Sequence, residues 1–164
     1  MAPLKPQVQA KPQASAQPPA SAAAAVAAAA ADAPTWIQDP RLLNRKRVSD
    51  LVTINDAIKA YHEKKGAYPK AAAGGFLERG KNWIPGLSPE FLAELPRDPA
   101  NSNDKTGPQY LYVSDGANYK LLAHRVSLVG GTNVEVLGVK LDPSKQNTAE
   151  NAAFGFWTPA FETV

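Results

Sequence analysis

Between Asp39 and Gly66 the apolar residues return with the period of an α-helix, and this stripe constrains the fold more than any other stretch. Val48, Leu51, Ile54 or Asn55, Ile58 and Tyr61 fall on one side, with Val52 widening the stripe. Lys46, Asp50, Asp56, Lys59 and Glu63 largely occupy the remaining surface, where Lys46/Asp50 and Lys59/Glu63 are oppositely charged pairs four residues apart. The ends are marked as well. Asp39 supplies a carboxylate for the free first-turn amides, Pro40 suits the first helical position, and Gly66 provides a left-handed cap. A helix with one apolar stripe needs a surface to lie on.

The sequence offers an antiparallel sheet as that surface. Gln109 to Val113 and Tyr119 to Arg125 are rich in aromatic and branched residues, and Ser114-Asp115-Gly116-Ala117-Asn118 between them is a turn signal. Alternation puts Tyr110 and Tyr112 on one face and Leu111 and Val113 on the other. The run Val134 to Leu141 suits a third strand, and Gly130-Gly131 marks a bend before it. Between helix and hairpin, Ser88-Pro89 predicts a short helix, with Leu87 and Leu92 as its hydrophobic staple and Pro96 at its end. The tail from Ala152 to Phe161 carries Phe154, Phe156, Trp157 and Phe161 and is expected to fold back on the core. The fold class is therefore α+β: a long N-terminal helix packed on a three- or four-stranded antiparallel sheet.

Composition divides the chain of 164 residues in two. Residues 1–35 hold six of the fifteen prolines, an alanine run and almost no large apolar side chain, too little to offset the entropy of ordering a backbone. They read as a disordered Pro/Ala-rich arm, with residues 36–164 forming the globular domain. The run from Ala20 to Ala31 is shorter than the ~20 residues of a membrane span, so no integral membrane segment is expected. Lys5, Lys11 and Ala31-Asp32-Ala33 imitate a signal peptide, but the proline content favours a low-complexity linker. A working signal implies a periplasmic or extracellular protein; otherwise the protein is cytoplasmic. The absence of cysteine excludes disulfides, thiolate nucleophiles and cysteine-bound metals. A net charge of +3, with only Arg45-Lys46-Arg47 standing together, gives no broad basic face for nucleic acid. That triplet reads as solvated helix surface.

The order of these motifs carries a resemblance. The helical segment Arg47–Lys65, the exit Gly66-Ala67-Tyr68-Pro69, the turn Leu95-Pro96-Arg97-Asp98-Pro99 and the hairpin Tyr110–Leu121 succeed one another in a way that resembles the soluble head of type IV pilin-like proteins, the pseudopilins of type II secretion in particular. The match covers about half the chain and rests on order and spacing. It implies a helix running into a globular head, an antiparallel sheet beneath it and a non-enzymatic packing or interaction role with protein partners. The family's leader, cleavage glycine and apolar half-helix are replaced here by the proline-rich tract, and the calcium loop of major pseudopilins is not recognisable.

Few residues suggest chemistry. His62 and His124 stand in no metal-type spacing, no activated-serine signature is present, and both histidines read as surface or structural. Asp98, Asn101, Asn103 and Asp104 form the best oxygen-ligand cluster for calcium, though Asn and Asp are also the residues of turns. Gly74-Gly75 and Gly130-Gly131 lack the lysine and hydroxyl of a phosphate loop and read as bends. Trp83, Tyr110, Tyr112 and Trp157 are the candidate binding surface, an aromatic platform for sugar or peptide if they face solvent and a core if they do not. No cofactor or metal is expected. The residues favour a non-catalytic interaction or scaffold module over a carbohydrate- or peptide-binding domain.

Overall fold

The computed structural model describes residues 38–71, 76–77 (backbone only), 81–101, 106–131, 133–145 and 147–164. The expectations for the arm at 1–35, for Gly74-Gly75, and for Asn103 and Asp104 lie outside the described residues.

Helix α1 spans Pro40–Lys65 and is capped as its sequence requires. Asp39 accepts the Arg41 amide at 2.9 Å, and the hydrogen bonds and charge of Arg41 hold its carboxyl below the usual range. At the other end Gly66 turns left-handed at φ 74° and donates its amide to the His62 carbonyl at 2.8 Å. Val48, Leu51, Ile54, Ala57 and Ile58 are buried, whereas Val52 is exposed and does not widen the stripe. Two residues assigned to the wet surface are buried instead. Arg47 and Asp50 lie beneath the helix, where polar partners await them.

Strands β1 (Phe76–Leu77), β2 (Gln109–Ser114), β3 (Tyr119–Val126), β4 (Lys140–Leu141) and β5 (Ala152–Trp157) form one antiparallel sheet in the order β1-β2-β3-β5-β4. The architecture is thus α+β, one helix across an antiparallel sheet. Three strands are long, and the two edges are two-residue pairings. The β2–β3 hairpin closes through Asp115, whose carboxylate accepts the amides of Ala117 and Asn118 at 2.8 and 2.6 Å. Gly116 at φ 94° supplies the left-handed step of that turn.

Three expectations are revised. Val134–Leu141 is mostly not a strand: residues 135–137 make a 3-10 turn, Gly138 reverses at φ 91°, and only Lys140–Leu141 pair. The amides of Leu137 and Gly138 bond back to Val134 and Glu135, so local turn bonds take the groups that a ladder would need. The tail does more than fold back. Its residues 152–157 become β5, inserted between β3 and β4. The short helix at Ser88 is also absent. Phe91 and Leu92 both donate to the Leu87 carbonyl, the Ser88–Pro89 peptide is cis, and Ser88 Oγ donates to the Ala93 carbonyl instead of accepting a first-turn amide. Ser88 therefore caps nothing.

The main core lies between α1 and the sheet. Leu51, Ile54 and Ile58 meet Tyr110 and Tyr112 from β2, Tyr119, Leu121 and Ala123 from β3, and Phe154 from β5, with Trp83, Ile84, Leu87 and Leu95 closing one side. Neighbouring strands present Lys120, Leu122 and Trp157 to the opposite face.

Candidate functional site

Three groups of polar or aromatic side chains are built by this fold. The first is a clasp that ties the helix to the sheet and to the loops next to it. Arg47 directs Nε and Nη2 at the two carboxylate oxygens of Asp98, at 2.7 and 3.1 Å, and Nη1 at Asn44 Oδ1 at 2.8 Å. Asn44 in turn donates to the Ser127 carbonyl at 2.8 Å. Three residues further along the helix, Asp50 accepts the Tyr110 hydroxyl at 2.9 Å and a bond from Lys46. Burial first, and then the carboxylates of Asp50 and Asp98, push the Tyr110 hydroxyl far above its ordinary range. Asn55 accepts the Tyr119 hydroxyl at 2.5 Å, and burial raises that phenol to about 12. Buried charges and hydroxyls are tolerated here because each has a partner.

The second group lies on the opposite sheet face. Lys120, only 1% exposed, reaches Asp142 Oδ1 at 3.1 Å and the main-chain oxygens of Glu162 and Val164 at 3.0 and 2.7 Å. Its Nζ also stands 5.5 Å from the centroid of the Trp157 ring. Ser144 gives its amide and hydroxyl to the same Asp142 oxygen at 2.9 and 2.8 Å. His124 lies on this side as well. Burial, then the charges of Arg125 and Lys145, hold it below its ordinary value, while Asp142 acts weakly the other way.

The third group is a surface. An open groove of about 480 Å³ runs beside β4 and is lined by Glu135, Val139, Lys140, Leu141, Trp157 and Glu162, among others. A smaller hollow of about 210 Å³ lies by the first turns of α1, between Arg41, Arg45, Asn133 and Val136. Val136 there is 81% exposed.

The sequence candidates are distributed differently from the expectation of a platform. Trp83, Tyr110 and Tyr112 are buried: Trp83 donates to the Pro96 carbonyl at 3.1 Å, and Tyr112 to the Pro69 carbonyl at 2.9 Å. These three are core, held there by apolar contact and one satisfied polar atom each. Only Trp157 of the four is half-exposed, in the groove. Asp98 is engaged by Arg47 and by the Ala100 amide at 2.9 Å, and its carbonyl accepts the Asn101 amide at 3.0 Å. Its role is an ion pair and a turn. Among the described residues no three His, Asp or Glu side chains gather as metal ligands. Among them, too, no helix is long and apolar enough to cross a membrane.

Sequence reasoning missed Asn44, Arg47, Lys120 and Asp142. The available signal was a polar residue at an inward position: Asn44 and Arg47 continue the stripe backwards from Leu51 at helical spacing, and Lys120 interrupts the apolar run Tyr119–Ala123. Comparison of the chain with protein-family models, with curated proteins and with solved structures found no match.

Proposed function

We propose that this domain is a non-catalytic, pilin-like interaction or scaffold module of the kind used in bacterial secretion or surface assembly. The observation that carries the reading is the clasp. Arg47, Asp98, Asp50, Asn44 and Asn55, the groups that a reaction centre would need free, are engaged in fixing the helix to the sheet and to the loops next to it. What such a body offers a partner is its outer surface, including the exposed Val136 and the two hollows on either side of residues 135–137. The test is a photoreactive side chain placed at Val136, with one at Glu63 on the far end of α1 as comparison, in cells that make the protein. A discrete protein adduct from Val136, lost when Arg45 is changed to Glu, supports the reading. Absence of any adduct from the exposed positions counts against it.

One observation favours a second reading, a carbohydrate- or peptide-binding domain. Trp157 lines the groove together with Glu135, Lys140 and Glu162, a mixture of aromatic face and polar edges. Saturable quenching of tryptophan fluorescence by an oligosaccharide or peptide, abolished by Trp157→Ala, would move the assignment there.

A further inference from the structure

We propose that Lys120 and Asp142 are the two halves of an intramolecular cross-link, an amide between Lys120 Nζ and Asp142 Cγ. The inference is independent of the function proposed above. It starts from an asymmetry in Asp142, which is fully buried. Its Oδ1 accepts from the Ser144 amide, the Ser144 hydroxyl and Lys120, while its Oδ2 is buried with no hydrogen-bond partner among the described residues. A carboxylate that shares its charge over two oxygens calls for donors at both. One oxygen held by donors, with the other left bare, is instead the arrangement of an activated acyl group.

Lys120 is placed to attack it. The main-chain oxygens of Glu162 and Val164, at 3.0 and 2.7 Å, take two N–H bonds and leave the remaining direction on Nζ facing Asp142. The two groups come from β3 and from the loop after β4, so the fold supplies the encounter. Fixed neighbours of this kind react with effective molarities of about 10⁵–10⁸ M. The product is also favoured by its surroundings, since a buried ion pair recovers little of its desolvation cost and a neutral amide carries no such charge.

The step balances without any added reagent. A proton passes from the Lys120 ammonium to the Asp142 carboxylate that it contacts, giving an amine and an acid whose proton rests on the unpartnered Oδ2. The Nζ lone pair forms the C–N bond at Cγ, and charge gathers on Oδ1 against the two Ser144 donors. A second proton moves from nitrogen to Oδ2, the C–Oδ2 bond breaks, and one water leaves. Nothing is oxidised or reduced.

The test is a peptide map and a denatured intact mass of the full chain after folding. The expected result is a species lighter by one water than its linear sequence, with a branched peptide joining residues 120 and 142. Asp142→Asn should yield the same branched peptide by loss of ammonia, Lys120→Arg should yield none, and Ser144→Ala should leave a larger uncross-linked fraction. Should the variants fail to fold, the map of the unaltered chain decides alone. Linear peptides carrying free Lys120 and Asp142 after prolonged incubation of folded protein would overturn the proposal and leave an ordinary buried ion pair.

Discussion

Arg47 shows how much one side chain is asked to do in this domain. It is 2% exposed and forks onto Asp98, 51 positions away in sequence, while its third donor holds Asn44. Removing one partner of such a pair strands the other charge away from water, so Asp98→Ala is expected to cost about 3–5 kcal/mol in chemical denaturation. Replacing both residues together, as Arg47→Met with Asp98→Leu, should recover much of that loss. Equal damage from the single and double changes would mean that the pair is not the origin of the effect. His124 makes a second prediction at this scale. Burial and the nearby Arg125 and Lys145 keep its folded value below the ordinary 6.5, with the Asp142 carboxylate acting the other way. The unfolded chain therefore binds the proton first. Stability is unaffected by His124 above that ordinary value and falls as the pH drops from there towards the folded value. Urea midpoints followed from about pH 7.5 to about pH 5 should decline, and His124→Gln should flatten the part of the slope due to this residue. An unchanged slope in that variant would assign the decline elsewhere.

At the scale of elements, the parts legible in the sequence were those with local signals. Helix α1 has its cap, its stripe and its terminal glycine, and the β2–β3 hairpin has its Asp-Gly turn, so both could be placed within a residue or two. Strand β5 was harder to read because Ala152-Ala153-Phe154-Gly155 has little intrinsic preference for extended structure. Its glycine explains itself only in three dimensions. A Cβ on Gly155 would stand 1.9 Å from the Leu121 carbonyl oxygen, inside the β3 backbone. No long-range approach of this kind shows in a pattern of neighbours. Gly155→Ala is expected to destabilise the domain by about 3 kcal/mol or more, because backbone rather than a movable side chain fills the space. A thermal unfolding curve that matches the unaltered protein would show that β3 and β5 are not so closely paired. The clasp was illegible for a related reason. Asp98 has the look of turn chemistry, and does serve a turn, but its partner Arg47 lies in a different element.

At the scale of the whole molecule, α1 and the sheet act as one body because apolar and polar contacts coincide. Leu51, Ile54 and Ile58 bury their side chains against the strands, and Arg47, Asp50 and Asn55 on the same helix are bonded to Asp98, Tyr110 and Tyr119. Melting the helix alone would expose that apolar surface and break these bonds together, so it should not occur short of global unfolding. A scaffold reading depends on this rigidity, since a partner that docks on the surface then meets a fixed shape. Native-state hydrogen exchange in increasing denaturant tests it most directly. The amides of Leu51 to Ile58 in α1 and of Leu121 to Ala123 in β3 should exchange only through one global opening, at a common free energy and with a common denaturant dependence. Helix amides that exchange at a clearly lower free energy, while those of β3 stay protected, would contradict the account.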